Sequence, residues 1–237
     1  VTAGESALAM IPIDNSVAGR VADIHHLLPR TNLYIIGEHF LPVHHQLMTV
    51  PGVDRSKIRI VRSHVHALGQ CRKVIRELGL KPVVAADTAG AARELSESRD
   101  PAQAAIASKL AAEIYGLEVI REDIEDESHN TTRFVVLSAT PQDAEPEDLP
   151  VMTTFVFRVR NIPAALYKAM GGFATNGVNM IKLESYMLGG AFRATQFYAD
   201  IEGHPDDPEV KRAFDELAFF TDMIRVLGTY PADPGRP

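Results

Sequence analysis

The sequence predicts an α/β protein that ends in a smaller βαββαβ unit. Up to about residue 140, short apolar runs typical of buried strands alternate with segments whose apolar residues recur at helical spacing. After an acidic stretch, residues 151–237 follow the order strand, helix, strand, strand, helix and strand, which is the ferredoxin-like arrangement. The alternation in the first part predicts a layered sheet with functional sites at the strand ends.

Capping and turn residues indicate the elements of the first part. The apolar run at 7–13 ends in a turn-prone Asp-Asn-Ser, which favours a strand that leads into a loop. Asp100 and Pro101 suit the first turn of a helix, whereas Gly79 and Gly116 suit helix ends. We predict strands at 7–13, 81–87 and 133–139 and helices at 67–79, 88–97 and 100–116.

An acidic segment at 141–150 separates the two parts. Its four carboxylates lie between prolines, a composition typical of an exposed linker. We therefore place one domain at 1–140 and a second at 151–237. In the second domain we predict strands at 151–159, 178–185, 194–201 and 223–229 and helices that begin at Pro163 and Pro208.

Composition argues against several classes of protein. No run approaches the ~18 consecutive apolar residues of a membrane-spanning helix, and no secretory signal opens the chain, so we expect a cytoplasmic protein without membrane contact. The net charge of −7 disfavours nucleic-acid binding. A strand so close to residue 1 lacks a preceding partner, which leads us to expect that upstream chain is missing.

Two polar segments next to regular elements are candidates for a functional site. In residues 129–137, Asn130, Thr131, Thr132 and Arg133 directly precede an apolar strand, so hydroxyls and a guanidinium would be presented at its mouth. In residues 63–71, Ser63 precedes a helix, and Gln70 lies near its first turns. Caps or surface turns are the alternative interpretation of each polar group.

Five segments together resemble the prephenate dehydratase family. They are PIDNSVAG, SHVHALGQC, DTAGAA, AAIAS..AAEIYGL and NTTRF, against family patterns of approximately ENS..G, SHPQAL.QC, STA.AA and N.TRF. The resemblance spans residues 11 to about 228, and the second part resembles the ACT domain of the family. It implies a bilobed, periplasmic-binding-protein-like catalytic domain followed by an ACT domain.

The chain departs from the family pattern at several positions. Asp14 replaces a glutamate, and Val65 and His66 replace a Pro-Gln pair. Pro163–Leu166 stands for the effector motif GAL, with Ala164 in place of glycine, and Tyr186-Met187 replaces Arg-Pro in the motif ESRP. The G.EGT-like opening of the family is absent as well, which supports the expectation of missing upstream chain.

The resemblance implies a reaction without cofactor or metal. Prephenate loses carbon dioxide and its ring hydroxyl to give phenylpyruvate, and Thr132 corresponds to the threonine of TRF, which we expect to act on the leaving hydroxyl. Arg133 either pairs with a substrate carboxylate or forms a structural salt bridge. The residues that we expect to bind substrate are Asn15, Ser16, Ser63, Gln70, Thr88 and Arg133.

The ACT resemblance implies feedback inhibition by L-phenylalanine and assembly into a homodimer or homotetramer. The residues that we expect to bind this effector are Ala164, Ala165, Leu166, Asn179, Glu184 and Ser185.

Other functions remain open at this stage. Arogenate dehydratase, a ligand-binding protein without catalysis, and an amino-acid-responsive regulator are the alternatives. The histidine pairs lack a carboxylate-supported metal pattern, so we expect no metal site. Cys71 is the single cysteine and, on the apolar face of a helix, suits a core position better than a nucleophilic role.

Overall fold

A computed structural model of the protein describes residues 1–21, 24–145, 150–187 and 194–236, without the side chains of residues 26, 194 and 195. Residues 146–149 of the predicted linker therefore lie outside the described residues. In chain order the elements are β1 (Leu8–Asn15), β2 (Gly19–Arg20), α1 (Ile24–Leu27), β3 (Tyr34–Pro42), β4 (Gln46–Thr49), β5 (Ile60–Ser63), α2 (Val65–Gln70), α3 (Arg72–Glu77), β6 (Lys81–Val84), α4 (Thr88–Ser98), β7 (Gln103–Ala107), α5 (Lys109–Tyr115), β8 (Glu118–Arg121), β9 (Thr131–Ser138), β10 (Val151–Val159), α6 (Ala165–Thr175), β11 (Met180–Met187), β12 (Ala194–Glu202), α7 (Pro208–Phe220) and β13 (Thr221–Pro231).

The chain divides into two compact units. The two-sheet unit consists of Val1–Asp14, Arg20–Leu41 and Arg133–Pro237, and the five-stranded unit of Asn15–Gly19 and Pro42–Thr132. None of the described helices is long and apolar enough to cross a membrane.

The five-stranded unit is a mixed sheet with helices packed on both faces. Its strand order is β6-β5-β7-β4-β8, in which β5 runs parallel to β6 and β7 while β4 runs antiparallel to β7 and β8. Adjacent residues of β4 point to opposite faces, so Leu47 contacts the core under α2 and α3 whereas Met48 contacts the core under α4 and α5. Cys71 lies in the first of these cores and is 0% exposed.

The two-sheet unit contains the predicted βαββαβ arrangement, which is confirmed. Its strands form an antiparallel sheet in the order β11-β12-β10-β13, and α6 and α7 cover one face through a core that includes Phe155 and Phe173. The other face packs on a second sheet of order β2-β1-β9-β3, through a core that includes Val135 and Tyr198. Gly228 permits this packing, because a Cβ atom there would lie 1.9 Å from the carbonyl oxygen of Ile35.

Two predicted helices are wrong. Residues 100–116 form strand β7 and helix α5, because Gln103–Ala107 pairs with strands on both sides and is buried among apolar neighbours on both faces. Ser108 caps α5 by accepting from Ala111 N at 3.2 Å, and Asp100 instead caps the turn before β7. The predicted helix at 67–79 is interrupted at Cys71, whose φ and ψ of −123° and 27° are not helical.

Candidate functional site

Asn15, Asn130 and Thr132 form a hydrogen-bonded cluster in the five-stranded unit. Asn15 Nδ2 donates to Asn130 Oδ1 at 2.8 Å and to Thr132 Oγ1 at 3.0 Å. Asn15 Oδ1 accepts from the backbone N–H groups of Val17 and Ala18, at 3.0 and 2.8 Å, which fixes the orientation of the amide. Since the oxygen of Thr132 accepts from Asn15, its hydroxyl hydrogen is available to a further acceptor.

A second amide connects this cluster to His45. Gln70 Oε1 accepts from Asn130 Nδ2 at 2.9 Å and from His45 Nε2 at 2.8 Å. Because an amide oxygen only accepts, Nε2 of His45 carries the hydrogen of this bond. Asn130 is 3% exposed, so its amide is a fixed partner of Asn15. The predicted site residues included Asn15, Gln70 and Thr132 but neither Asn130 nor His45. Asn130 could have been selected because it is the first residue of the motif NTTRF.

Ser16 connects the segment after β1 to the start of β9. Its Oγ donates to the carbonyl of His129 at 2.7 Å and accepts from the backbone N–H of Thr131 at 2.9 Å. Ser16 is therefore close to Thr132 in the structure, as the predicted site required.

Two cavities are lined by Gln70 and Arg72. The smaller, of about 160 Å³, also meets Asn130 and three carboxylates, those of Glu125, Asp126 and Glu127. The larger, of about 320 Å³, has no acidic residue among its described lining residues and also meets Val65 and His66. Among the residues that the structure describes, Arg72 is the only arginine or lysine that lines either cavity, which makes it a candidate partner for an anion. Sequence reasoning did not select Arg72, because nothing distinguishes it from other helix-surface arginines.

Ser63 and Thr88 are not part of the described network. Ser63 is buried in the sheet, and its Oγ donates to the carbonyl of Ile106 at 2.6 Å, which joins β5 to β7. Thr88 is the half-buried first residue of α4, after Asp87, whose carboxylate caps the helix by accepting from Gly90 N.

Arg133 belongs to a buried ion-pair network in the two-sheet unit. Its Nε donates to Glu38 Oε2 at 2.8 Å, its Nη1 pairs with Asp200, and its Nη2 donates to Tyr230 Oη at 2.9 Å. Burial by itself would lower the pKa of Arg133, but Asp200, the two tyrosines nearby and Glu38 raise it far above its ordinary value. The geometry favours the structural salt bridge over the predicted contact with substrate.

Four of the predicted effector residues line one cavity. Ala164, Ala165, Leu166 and Ser185 border a space of about 450 Å³ at the start of α6 in the two-sheet unit. Asn179 and Glu184 do not line this cavity. The amide of Asn179 instead donates to Glu202 Oε2 at 2.9 Å, and Glu184 Oε2 lies 3.5 Å from Arg20 Nη1. Ala164 adopts the left-handed conformation, with φ at 61°, at which the family glycine would carry no steric cost.

Among the described residues, one surface group brings potential metal ligands together. His44 Nδ1 lies 2.9 Å from Glu125 Oε1 and 3.6 Å from Asp123 Oδ1. The second oxygen of Glu125 accepts from the backbone N–H of His45 at 2.9 Å, so this carboxylate already has two partners. The absence of a functional metal site therefore stays a prediction. Cys71 is an unsuitable nucleophile, because burial and the nearby carboxylates raise the pKa of its thiol to about 12.

Comparisons with known proteins place these groups in context. A family model described as prephenate dehydratase matches residues 1–142. The bifunctional N-acyl-homoserine lactone acylase/prephenate dehydratase of Komagataeibacter europaeus is 52% identical over 233 residues, 98% of this chain and 83% of that protein. The arogenate dehydratase/prephenate dehydratase 1 of Arabidopsis thaliana is 38% identical over 95% of this chain and 61% of the plant protein. The crystal structure of prephenate dehydratase from Arthrobacter aurescens in complex with L-Phe matches with a TM-score of 0.89 and 34% identity, over 100% of this chain and 79% of that one.

Proposed function

Because this chain belongs to the prephenate dehydratase family, we propose that it converts prephenate to phenylpyruvate, carbon dioxide and water in phenylalanine biosynthesis. The predicted fold, a periplasmic-binding-protein-like catalytic domain followed by an ACT domain, is confirmed by the match to the A. aurescens enzyme. The observation that carries the proposal is the hydrogen bond of 3.0 Å from Asn15 Nδ2 to Thr132 Oγ1. It connects two separate motifs of the family at the residue expected to act on the leaving group.

Thr132 would stabilise the departing hydroxide. In the reaction the bond between the ring and its carboxylate breaks, and the carboxylate leaves as carbon dioxide. The electron pair of that bond enters the ring, and the opposite carbon releases hydroxide, which takes up a proton from solvent to give water. A threonine hydroxyl is a weak acid, so it acts by donating a hydrogen bond whose strength grows as charge develops on the leaving oxygen. Donation by Asn15 to the oxygen of Thr132 polarises the O–H bond in the same direction. Aromatisation supplies most of the driving force.

Arg72 would hold one carboxylate of the substrate. It lines the cavity of about 320 Å³, which it shares with Gln70 and in which the described part of the chain places no acidic group. The guanidinium can bind a carboxylate through two parallel hydrogen bonds, a role that the buried ion pairs of Arg133 leave unfilled. The side-chain amide of Gln70 is a neutral donor that suits a remaining substrate oxygen.

Arogenate dehydratase is a second candidate. The A. thaliana relative carries both activities in its name. Arogenate differs from prephenate by an ammonium in place of a keto group. A binding protein without catalysis is the further alternative, and it predicts ligand capture without turnover.

Acylase activity is a candidate from another reaction class. It is favoured by the 52% identity to the K. europaeus protein, whose name includes N-acyl-homoserine lactone acylase. Cys71 would not supply the nucleophile, since its thiol is buried and its pKa is raised to about 12. Release of homoserine lactone from an N-acyl derivative by the purified protein is the test of this candidate.

We also propose regulation by phenylalanine and assembly into a homodimer or homotetramer in the cytoplasm. The cavity at Ala164–Leu166 and the L-Phe complex of the A. aurescens relative support the first proposal. The sheet of the ACT domain ends in edge strand β11, where Ile181 and Met187 are 37% and 55% exposed, which supports the second. Light scattering that detects only monomer at micromolar concentration would contradict it.

The deciding experiment is a parallel assay with prephenate and arogenate, following phenylpyruvate and phenylalanine. We expect turnover of prephenate by protein treated with a chelator, because positioned donors suffice for the reaction. Turnover of arogenate alone would replace the proposed substrate, and binding without turnover of either would support the non-catalytic alternative. Activity that is lost on chelation and restored by one metal would overturn the proposal of a metal-free reaction. His44, Asp123 and Glu125 would then be the candidate metal ligands.

A further inference from the structure

The sheet of the ACT domain contacts the residues that flank the proposed catalytic pair. Asp14 directly precedes Asn15, and its carboxylate pairs with the ammonium of Lys182 on β11. Arg133 directly follows Thr132, and its guanidinium pairs with Asp200 on β12. Asp14 and Arg133, which are bonded to Asn15 and Thr132, thus each form an ion pair with a side chain of the same sheet.

Burial restricts the movement of the side chains in the ion pairs of Arg133. The side chains of Asp200 and Glu38 are 0% exposed and that of Arg133 is 7% exposed. Loss of one partner from such a group leaves an uncompensated buried charge, which strongly destabilises the folded protein. Arg133 Nη1 also lies 3.7 Å from Asp14 Oδ2, so the two flanking residues interact with each other as well.

Tyr230 and Lys182 connect the ion pairs of Arg133 and Asp14 to further strands of the ACT sheet. Tyr230 Oη on β13 accepts from Arg133 at 2.9 Å and lies 2.6 Å from the hydroxyl of Thr154 on β10. Lys182 lies in sequence between the predicted effector residues Asn179 and Glu184, and its ammonium also lies 5.4 Å from the centre of the Tyr198 ring. All four strands of the ACT sheet therefore contribute to the environment of Asp14 and Arg133.

We propose that Asp14 and Arg133 are positioning residues that transmit the arrangement of the ACT sheet to the hydrogen bond between Asn15 and Thr132. The proposal rests on the proposed dehydratase function. A shift of β11 or β12 would move Asp14 or Arg133, and each is joined by one peptide bond to a member of the pair. Displacement of a catalytic group by about 1 Å can lower a rate by about 100-fold, so small movements suffice.

The test replaces Lys182 by methionine, which keeps the length of the side chain and removes its charge. We expect Lys182→Met to lower kcat about tenfold at 25 °C with KM changed by less than about twofold, since Lys182 is not among the residues proposed to bind the substrate. Lys182→Arg should restore most of kcat because it restores the pair with Asp14. Lys211→Met, on the exposed surface of α7, is the matched control and should leave kcat unchanged.

Tyr230→Phe provides a milder second variant in case Lys182→Met does not fold. It removes the hydroxyl that accepts from Arg133 and keeps the buried ring, so we expect a several-fold loss of kcat with nearly unchanged KM. A purely structural role would lower the melting temperature and leave kcat of the folded protein intact; that outcome for the folded variants overturns the proposal. Wild-type protein without dehydratase activity would instead overturn the proposed function.

Discussion

The amide nitrogen of Asn15 lies 3.0 Å from the hydroxyl oxygen of Thr132, although 117 residues separate them in sequence. The two residues come from the motifs PIDNSVAG and NTTRF, which share no helix or hairpin. The hydrogen bond from Asn15 fixes the position of the Thr132 hydroxyl. Single substitutions at Thr132 can therefore test its role.

Thr132→Ala should lower kcat by roughly two to three orders of magnitude with little change in KM, because its hydrogen bond strengthens as the hydroxide departs. Thr132→Ser should retain most of the activity, since it keeps the hydroxyl. Steady-state kinetics with prephenate measure both. Thr131→Ala is the matched control, because the family pattern N.TRF leaves this position open, and an unchanged kcat in Thr132→Ala would remove Thr132 from the mechanism.

Arg72→Gln should raise KM for prephenate about tenfold or more and lower kcat less, because the lost pair with a carboxylate contributes to binding before the transition state. The neighbouring Lys73→Gln is the control, since Lys73 lines neither of the two cavities that Arg72 lines. If both variants have wild-type KM, another cation holds the carboxylate.

In the motif NTTRF, the sequence allows the face of each side chain to be predicted but not the contacts of Arg133. Sequence selected Thr132 and Arg133 together, but neighbours on a strand point to opposite faces, and Arg133 lies with Val135 and Leu137 on the buried face of β9. That alternation could be read from the sequence. The partners of Arg133 could not, because Glu38 and Asp200 are 95 and 67 residues distant along the chain.

The fold was predictable where a local signal and the tertiary environment agree. The order βαββαβ follows from caps and apolar periods in residues 151–237, and the structure has it. The alanine-rich segment Gln103–Ala107 has strong helix propensity, yet pairing with β4 and β5 makes it a strand. Short buried strands such as β4 and β5, four residues each, carry too little pattern for recognition.

Gly228→Ala should destabilise the protein by roughly 1–3 kcal/mol or more, because the added methyl would lie 1.9 Å from the carbonyl oxygen of Ile35 in the facing sheet. Gly171→Ala, on helix α6 with nothing within 4 Å of the added atom, is the control and should stabilise by about 0.5–1 kcal/mol. Urea denaturation of both variants measures the difference. Equal stability of Gly228→Ala and wild type would contradict the close packing of the two sheets.

Ala165→Leu should abolish binding of phenylalanine to the ACT domain, because Ala165 is 6% exposed and borders the cavity of about 450 Å³. Isothermal titration measures it, and Thr132→Ala should bind phenylalanine as wild type does. Ala174→Leu, on an exposed position of the same helix, is the matched control. Retained binding in Ala165→Leu, or no binding in wild type, would place the effector elsewhere or exclude it.

His25 should make the stability of the protein depend on pH between about 6.5 and 4. Its ring is 0% exposed and packs on Tyr186 and Tyr198, with centroids 5.7 and 4.9 Å away. Burial, and then the charge of Lys182, lower its pKa from 6.5 to about 4, against the opposing effects of Asp14 and Asp200.

The sign of the effect follows from the lowered pKa of His25. As the pH falls below 6.5, the unfolded chain takes up a proton that the folded protein refuses, so stability is complete above pH 6.5 and decreases toward pH 4, by up to roughly 3 kcal/mol. Urea denaturation at several pH values measures the free energy of unfolding, and His25→Phe should reduce its slope in this range. His129→Phe, at an exposed histidine, is the control and should keep the wild-type slope. An identical slope in His25→Phe and wild type would show that His25 takes up its proton equally in the folded and unfolded states.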